Sequence, residues 1–244
     1  MPTRRVLLFS NSTNPESRYL AHGAGELIDF LGSVRRLLFV PFALHDRPAY
    51  AAKVKAALAE HGIEVRALTA DAAGARALAD AEAVFVGGGN TFRLLRALQE
   101  SGLLAPLRER ALAGLPYVGS SAGSNLAGPT IKTTNDMPIV FPHGFEALGL
   151  VPFQLNPHYL DADAASRHMG ETREERLREF LEENATPVVG LREGYWIRRE
   201  ADAITLGGVS TTGRAAARVF RRGAEPEERP SGASLADLGD RGAG

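Results

Sequence analysis

The chain has no cysteine among its 244 residues, which removes disulfides, thiolate metal sites and a cysteine nucleophile. It also lacks an excess of charge of either sign. With 28 Lys and Arg against 29 Asp and Glu, the formal net charge is −1, so no global field draws it to nucleic acid or acidic lipid. Long apolar runs are missing as well. The N-terminal MPTRRVLLFSNST offers only Val6 to Phe9, too short for a signal peptide, and no stretch could span a bilayer. No H-E-x-x-H occurs, and Asp161 with Asp163 is too thin a carboxylate pair for a metal site. The expectation is a soluble cytoplasmic protein that acts on a small substrate, with no metal, no membrane and no nucleic acid among its partners.

What is present suffices for a full core, since 44% of the residues are hydrophobic. Short apolar runs with β-branched or aromatic character recur at Val6 to Phe9, Leu37 to Phe42, Ile63 to Leu68, Ala83 to Val86, Tyr117 to Val118 and Val188 to Leu191. Amphipathic segments such as Tyr50 to His61 and Thr91 to Gln99 lie between the early ones, and Thr172 to Asn184 reads as a charged helix. Continuous apolar strands alternating with helices imply a mostly parallel sheet covered on both faces, an α/β three-layer αβα sandwich. No linker divides residues 1–221, which read as one catalytic domain. Residues 222–244, RGAEPEERPSGASLADLGDRGAG, read as a mobile tail because they combine glycine, proline and charge with few large apolar groups.

Ligands of such sheets bind at the carboxyl ends of the strands. Three loops belong there: Ser10 to Asn14 (SNSTN), Gly87 to Asn90 (GGGN) and Gly119 to Asn125 (GSSAGSN). Of the two adjacent serines in the last, only Ser121 has glycine two positions before and two after. Gly-x-Ser-x-Gly is the pattern of a nucleophile on a sharp strand-to-helix turn, where crowded backbone excludes side chains and the following helix aims N–H groups at developing negative charge. A glycine-rich turn would give the same letters. Gly87-Gly88-Gly89-Asn90 matches neither dinucleotide nor P-loop spacing, but its bare N–H groups could supply half of an oxyanion hole.

A serine nucleophile needs a base and an acid that orients it. His45 and His61 flank or end a surface helix and His22 lies in a polar segment, so solvent-facing roles are expected of them. His143 and His158 sit in proline-marked loops where a side chain can be held at a cleft. Asp136 and Glu193 both follow buried segments, and periodicity does not choose between them.

GSSAGSN, TTNDMPIV, NPHYLD, GETREERL and LREGYWI, together with SNST and VGGGNTF, make the chain resemble peptidase E, the α-aspartyl dipeptidase family of serine peptidases, from about Val6 to Gly208. The resemblance implies a fold akin to class I glutamine amidotransferases and hydrolysis of dipeptides with an N-terminal aspartate, without a cofactor. It implies Ser121 as nucleophile, His158 as base and Glu193 as the orienting acid. The backbone of Ala122 and of Gly88 or Gly89 would form the oxyanion hole. Asp136, Arg173 and Asn90 would bind substrate, Arg173 holding the aspartate side chain. Ser120 stands where the family is expected to carry a large aromatic residue, which would open the pocket wall, and Arg192 stands in place of proline. A cyanophycinase-like hydrolase and a noncatalytic binding protein are the rival readings, and a monomer or homodimer is expected.

Overall fold

Successive residues of a strand face opposite sides of a sheet, so a run that is apolar at every position needs cover on both. A computed structural model of the chain, which describes residues 3–162, 170–210 and 212–239, supplies that cover. In chain order come β1 (Arg5–Phe9), α1 (Ala24–Leu31), β2 (Arg36–Val40), α2 (Arg47–Ala59), β3 (Glu64–Ala67), α3 (Ala72–Ala79), β4 (Val84–Val86), α4 (Thr91–Glu100), α5 (Leu104–Leu112), β5 (Tyr117–Ser120) and α6 (Ala122–Leu126). A long loop leads to β6 (Gln154–Pro157), α7 (Arg173–Glu183), β7 (Val188–Leu191), β8 (Tyr195–Glu200), β9 (Ala203–Gly208), β10 (Ala217–Phe220) and β11 (Glu227–Arg229).

The main sheet has the order β3-β2-β4-β5-β1-β8-β9. Its first five strands are parallel, and β8 and β9 extend it antiparallel. Along β1, Leu7 and Phe9 pack with Phe30 of α1 and Val54 and Leu58 of α2. Val6 and Leu8 belong to the opposite core, with Leu94 and Leu98 of α4, Leu107 of α5 and Leu126 of α6. β1 is thus buried on both faces, and truncating one of these leucines to alanine costs about 2 to 5 kcal/mol. Side-chain caps fix the N-termini of α2, α3, α4 and α7. Asp46 accepts from Ala49 N–H (3.0 Å), and Thr172 and Glu175 close a reciprocal box around the first turn of α7.

The expected αβα layering is therefore present, but the sheet content differs from the sequence reading. Val188 to Leu191, read as part of the parallel sheet, is the β7 strand of a second sheet with the order β11-β10-β7-β6. That sheet presents Leu155, Val189 and Val219 to the core containing α6, while Val188 and Phe220 pack on its other face with Leu177 and Leu181 of α7.

The expectation of a mobile tail is also corrected, for residues 222–239. Glu227 to Arg229 pair with β10, and Leu235 and Leu238 are buried in the main core. The charges that suggested solvation are paired: Arg221 with Glu227 and Asp237, and Arg229 with the same two carboxylates. Residues 240–244, Asp163 and the rest of 163–169 lie outside the described residues. No helix among the described residues is long and apolar enough to cross a membrane.

Candidate active site

The turn from β5 into α6 is tight enough to dictate its composition. A Cβ on Gly119 would come within 2.6 Å of the Gly123 carbonyl oxygen, and one on Gly123 would strike the Val86 carbonyl. Between them Ser121 takes φ 53° and ψ −110°, a conformation that L-residues rarely adopt. The Ser121 N–H is held by the Phe9 carbonyl (3.1 Å), which leaves the hydroxyl facing outward from the sheet's carboxyl edge. Ser120 behaves differently. It is the last residue of β5, wholly buried, and its hydroxyl has no partner. It lines neither cavity at the site, so its small side chain does not open the pocket wall as the sequence comparison suggested.

His158 follows β6, also with positive φ (54°). Its N–H donates to the Ser10 hydroxyl (2.9 Å), which itself donates to the Leu191 carbonyl (2.8 Å). Glu193 lies just past β7, where Gly194 N–H donates to the Asn11 side chain (2.9 Å). The SNSTN loop thus pins both chain segments, a positioning role that its position at a strand end hinted at without specifying. The imidazole Nε2 lies 2.9 Å from Ser121 Oγ and Nδ1 lies 2.5 Å from Glu193 Oε1. The His158 hydrogen bond holds the Glu193 carboxyl below its ordinary value, against partial burial that raises it. A hydroxyl, an imidazole and a carboxylate in this sequence can move a proton off the hydroxyl and hold the resulting positive charge.

Ser121 and His158 border two cavities. One, of about 270 Å³, is also lined by Thr91, Thr134, Asn135, Asp136 and Arg173. Asp136, the other candidate for the orienting acid, makes no hydrogen bond to His158, whose Nδ1 is taken by Glu193. Its Oδ2 accepts from Thr91 N–H (2.7 Å) and Thr91 hydroxyl (2.6 Å), so one oxygen caps α4 while the group faces the cavity. Arg173, the first residue of α7, is aimed by the capping box and half-buried; burial lowers its pKa, opposed by Glu193 and Asp136. It forms no ion pair among the described residues.

Asn90, expected to bind substrate, spends its amide on the fold: Oδ1 caps α4 through Arg93 N–H (3.0 Å), and Nδ2 donates to the Met137 carbonyl (2.8 Å). Gly88 abuts the nucleophile, since a Cβ there would lie 3.0 Å from Ser121 Cβ, and Gly89 has φ 130°. Neither glycine N–H donates to a backbone carbonyl, though that of Gly88 faces the Tyr50 hydroxyl. The Ala122 N–H opens α6, where no intrahelical acceptor exists.

Among the described residues no other histidine hydrogen-bonds to Ser121, His158 or Glu193, although His22 lies near enough to Glu193 to feel its charge. His45 and His143 are exposed. His22 contradicts its expected solvent-facing role. It is half-buried edge-on to Phe9 with both ring nitrogens unpartnered, and burial lowers its pKa. Among the described residues, no cluster of three or more His, Asp or Glu is suited to a metal ion. Asp161 is held instead by Arg192 through two contacts of 2.6 and 2.9 Å.

The chain resembles known proteins along most of its length. It is 54% identical over 235 residues to a Streptomyces coelicolor protein named peptidase E, covering 96% of this chain and 95% of that one. A Drosophila melanogaster protein named "Probable alpha-aspartyl dipeptidase" is 50% identical over 239 residues, with 96% of each chain covered. The crystal structure of a peptidase from an acI-B1 actinobacterium shares the fold, with a TM-score of 0.70 at 16% identity over 96% of each chain. The model of peptidase family S51 matches residues 6–207, from β1 through the serine turn and both loops that meet it to β9. The protein belongs to peptidase family S51.

Proposed function

We propose that this peptidase hydrolyses dipeptides with an N-terminal aspartate through an acyl-enzyme on Ser121. The observation that carries the reading is that the 2.9 Å contact of Ser121 with His158 borders a small cavity holding one guanidinium and one carboxylate, Arg173 and Asp136. An N-terminal aspartyl residue carries the complementary pair, a β-carboxylate and an α-ammonium. Arg173 takes the first in a charge-assisted contact, and Asp136 Oδ1, the oxygen not engaged by Thr91, takes the second. Requiring the free ammonium makes the enzyme an exopeptidase.

His158 Nε2 accepts the Ser121 proton as Oγ attacks the carbonyl of the aspartyl residue. Backbone N–H groups of Ala122 and of Gly88 or Gly89 stabilise the oxyanion. The imidazolium, its positive charge held by Glu193, then protonates the leaving amine, and water repeats the sequence to release aspartate. The emergence of Ser121 from a central parallel strand supports reading the scaffold as akin to class I glutamine amidotransferases. A panel of Asp-Leu, Asn-Leu, Glu-Leu and Ala-Leu, with release of the first residue measured, tests the proposal. Asp-Leu is expected to be cleaved fastest, and no preference for it would overturn the reading. A fluorophosphonate should label wild type and not Ser121→Ala.

A further inference from the structure

The second cavity beside Ser121 and His158, about 340 Å³, shares those two residues with the first but includes neither Asp136 nor Arg173 in its lining. If the aspartyl residue occupies the first cavity, the residue that leaves with the amine must occupy this one. Its walls include Ser12, Tyr19, Leu44, Tyr50, Lys53 and Gly88. Leu44 and the two tyrosine rings offer an apolar surface without a closed end, suited to side chains of varied size. Lys53, on α2, is the only lining residue with a fixed charge. Its ammonium lies 4.9 Å from the centre of the Tyr19 ring, whose face keeps the cation at the cavity mouth. Tyr19 is itself fixed through its hydroxyl, 3.3 Å from that of Tyr50, which stands against the Gly88 amide. Among the described residues no carboxylate pairs with Lys53.

We infer that Lys53 recognises the free C-terminal carboxylate of the substrate, and so selects dipeptides over longer peptides. The inference rests on the proposed aspartyl-dipeptidase reading. In a dipeptide the leaving residue carries an α-carboxylate one residue from the scissile bond, the only fixed charge common to all leaving residues. In a tripeptide that carboxylate moves outward by roughly 3.3 to 3.6 Å of extended chain, and a neutral peptide group takes its place beside the ammonium. The preference is thus set by a cation in one cavity at the nucleophile, as the choice of aspartate is set by another in the other cavity that meets it.

The test compares Asp-Leu with Asp-Leu amide, identical except for the terminal charge, in wild type, Lys53→Met and Lys53→Arg. Wild type should show a KM for the acid about five- to tenfold lower than for the amide, the scale of an ion pair partly open to water. Raised salt should shrink the gap. Lys53→Met should close the gap by raising KM for the acid, with kcat and the thermal midpoint little altered, and Lys53→Arg should largely restore it. A wild-type enzyme that treats the two substrates alike, or a Lys53→Met enzyme that keeps the gap or loses both activities equally, overturns the assignment while leaving aspartyl hydrolysis intact. Cleavage of neither substrate by wild type would instead overturn the aspartyl reading and this inference with it.

Discussion

Replacing Glu193 by glutamine removes a charge and keeps the shape, which makes it the sharpest probe of the proton path. The glutamine carbonyl can still accept from His158 Nδ1, across the same 2.5 Å contact, but it offers a dipole where the carboxylate offered a full negative charge to the imidazolium. Two unit charges about 4 Å apart at an effective dielectric of about 20 attract by about 4 kcal/mol. Both side chains are more than a third exposed, 37% for His158 and 39% for Glu193, so water screening reduces this to about 2 kcal/mol. That corresponds to about a 30-fold loss. Turning the amide so that its NH2 group faces the ring would favour the wrong tautomer and deepen the loss towards about 10⁴-fold. The loss should fall on kcat for Asp-Leu with KM nearly unchanged, because Glu193 lines neither substrate cavity. Asp136→Asn should raise KM as well, and should lose less on a substrate with a blocked amine. Steady-state assays of aspartate release on both variants decide the matter. A pure kcat loss at Asp136 with near-normal turnover at Glu193 would refute the assignment.

Ser121→Ala should abolish hydrolysis, by about 10⁶-fold if it behaves as other triad nucleophiles do, while Ser120→Ala retains most activity in the same assay. Arg173→Met should cost Asp-Leu about 2 to 5 kcal/mol and Ala-Leu much less; equal losses in kcat/KM would mark Arg173 as structural. Asp161, held below the usual carboxylate range chiefly by Arg192, stabilises the fold fully above its unfolded value near 4 and loses that contribution as pH falls through the lower folded value. The stability gap between wild type and Asp161→Asn in urea titrations should therefore be full at neutral pH and close in acid. Truncation after Arg222 should lower the thermal midpoint, since it strips Leu235 and Leu238 from the core; an unchanged midpoint would show that their burial contributes little.

The serine was legible because its requirement is local: two glycines at fixed offsets, where backbone crowds backbone. Its partners were not, since His158 lies 37 residues beyond it and Glu193 a further 35, and no periodicity links them. Only the resemblance distinguished Glu193 from Asp136. The inner parallel strands β1, β2, β4 and β5 were readable because burial on both faces makes most of their positions apolar. β8, YWIRRE, alternates buried and half-buried positions, and its arginines concealed it. The segment after Arg222 was misread because composition counts charges without seeing which ones pair. Lys53 was part of a recognisable surface helix, and only the three-dimensional arrangement sets that helix beside Gly88.

Arg192 is 5% exposed, immediately precedes Glu193, and grips Asp161, three residues past His158. Its second ion pair runs to Glu228 on β11, at 2.8 and 3.0 Å, and Nη1 also donates to the Ala215 carbonyl (2.9 Å). One guanidinium therefore ties the stretches carrying the base and the acid to a strand from the end of the fold. During synthesis that strand leaves the ribosome after every residue of the proposed triad. Until it docks, Arg192 lacks one of its two carboxylate partners, and the spacing of the imidazole from the acid is less constrained. A nascent chain should thus gain its hydrolytic power late, once its last strand is in place.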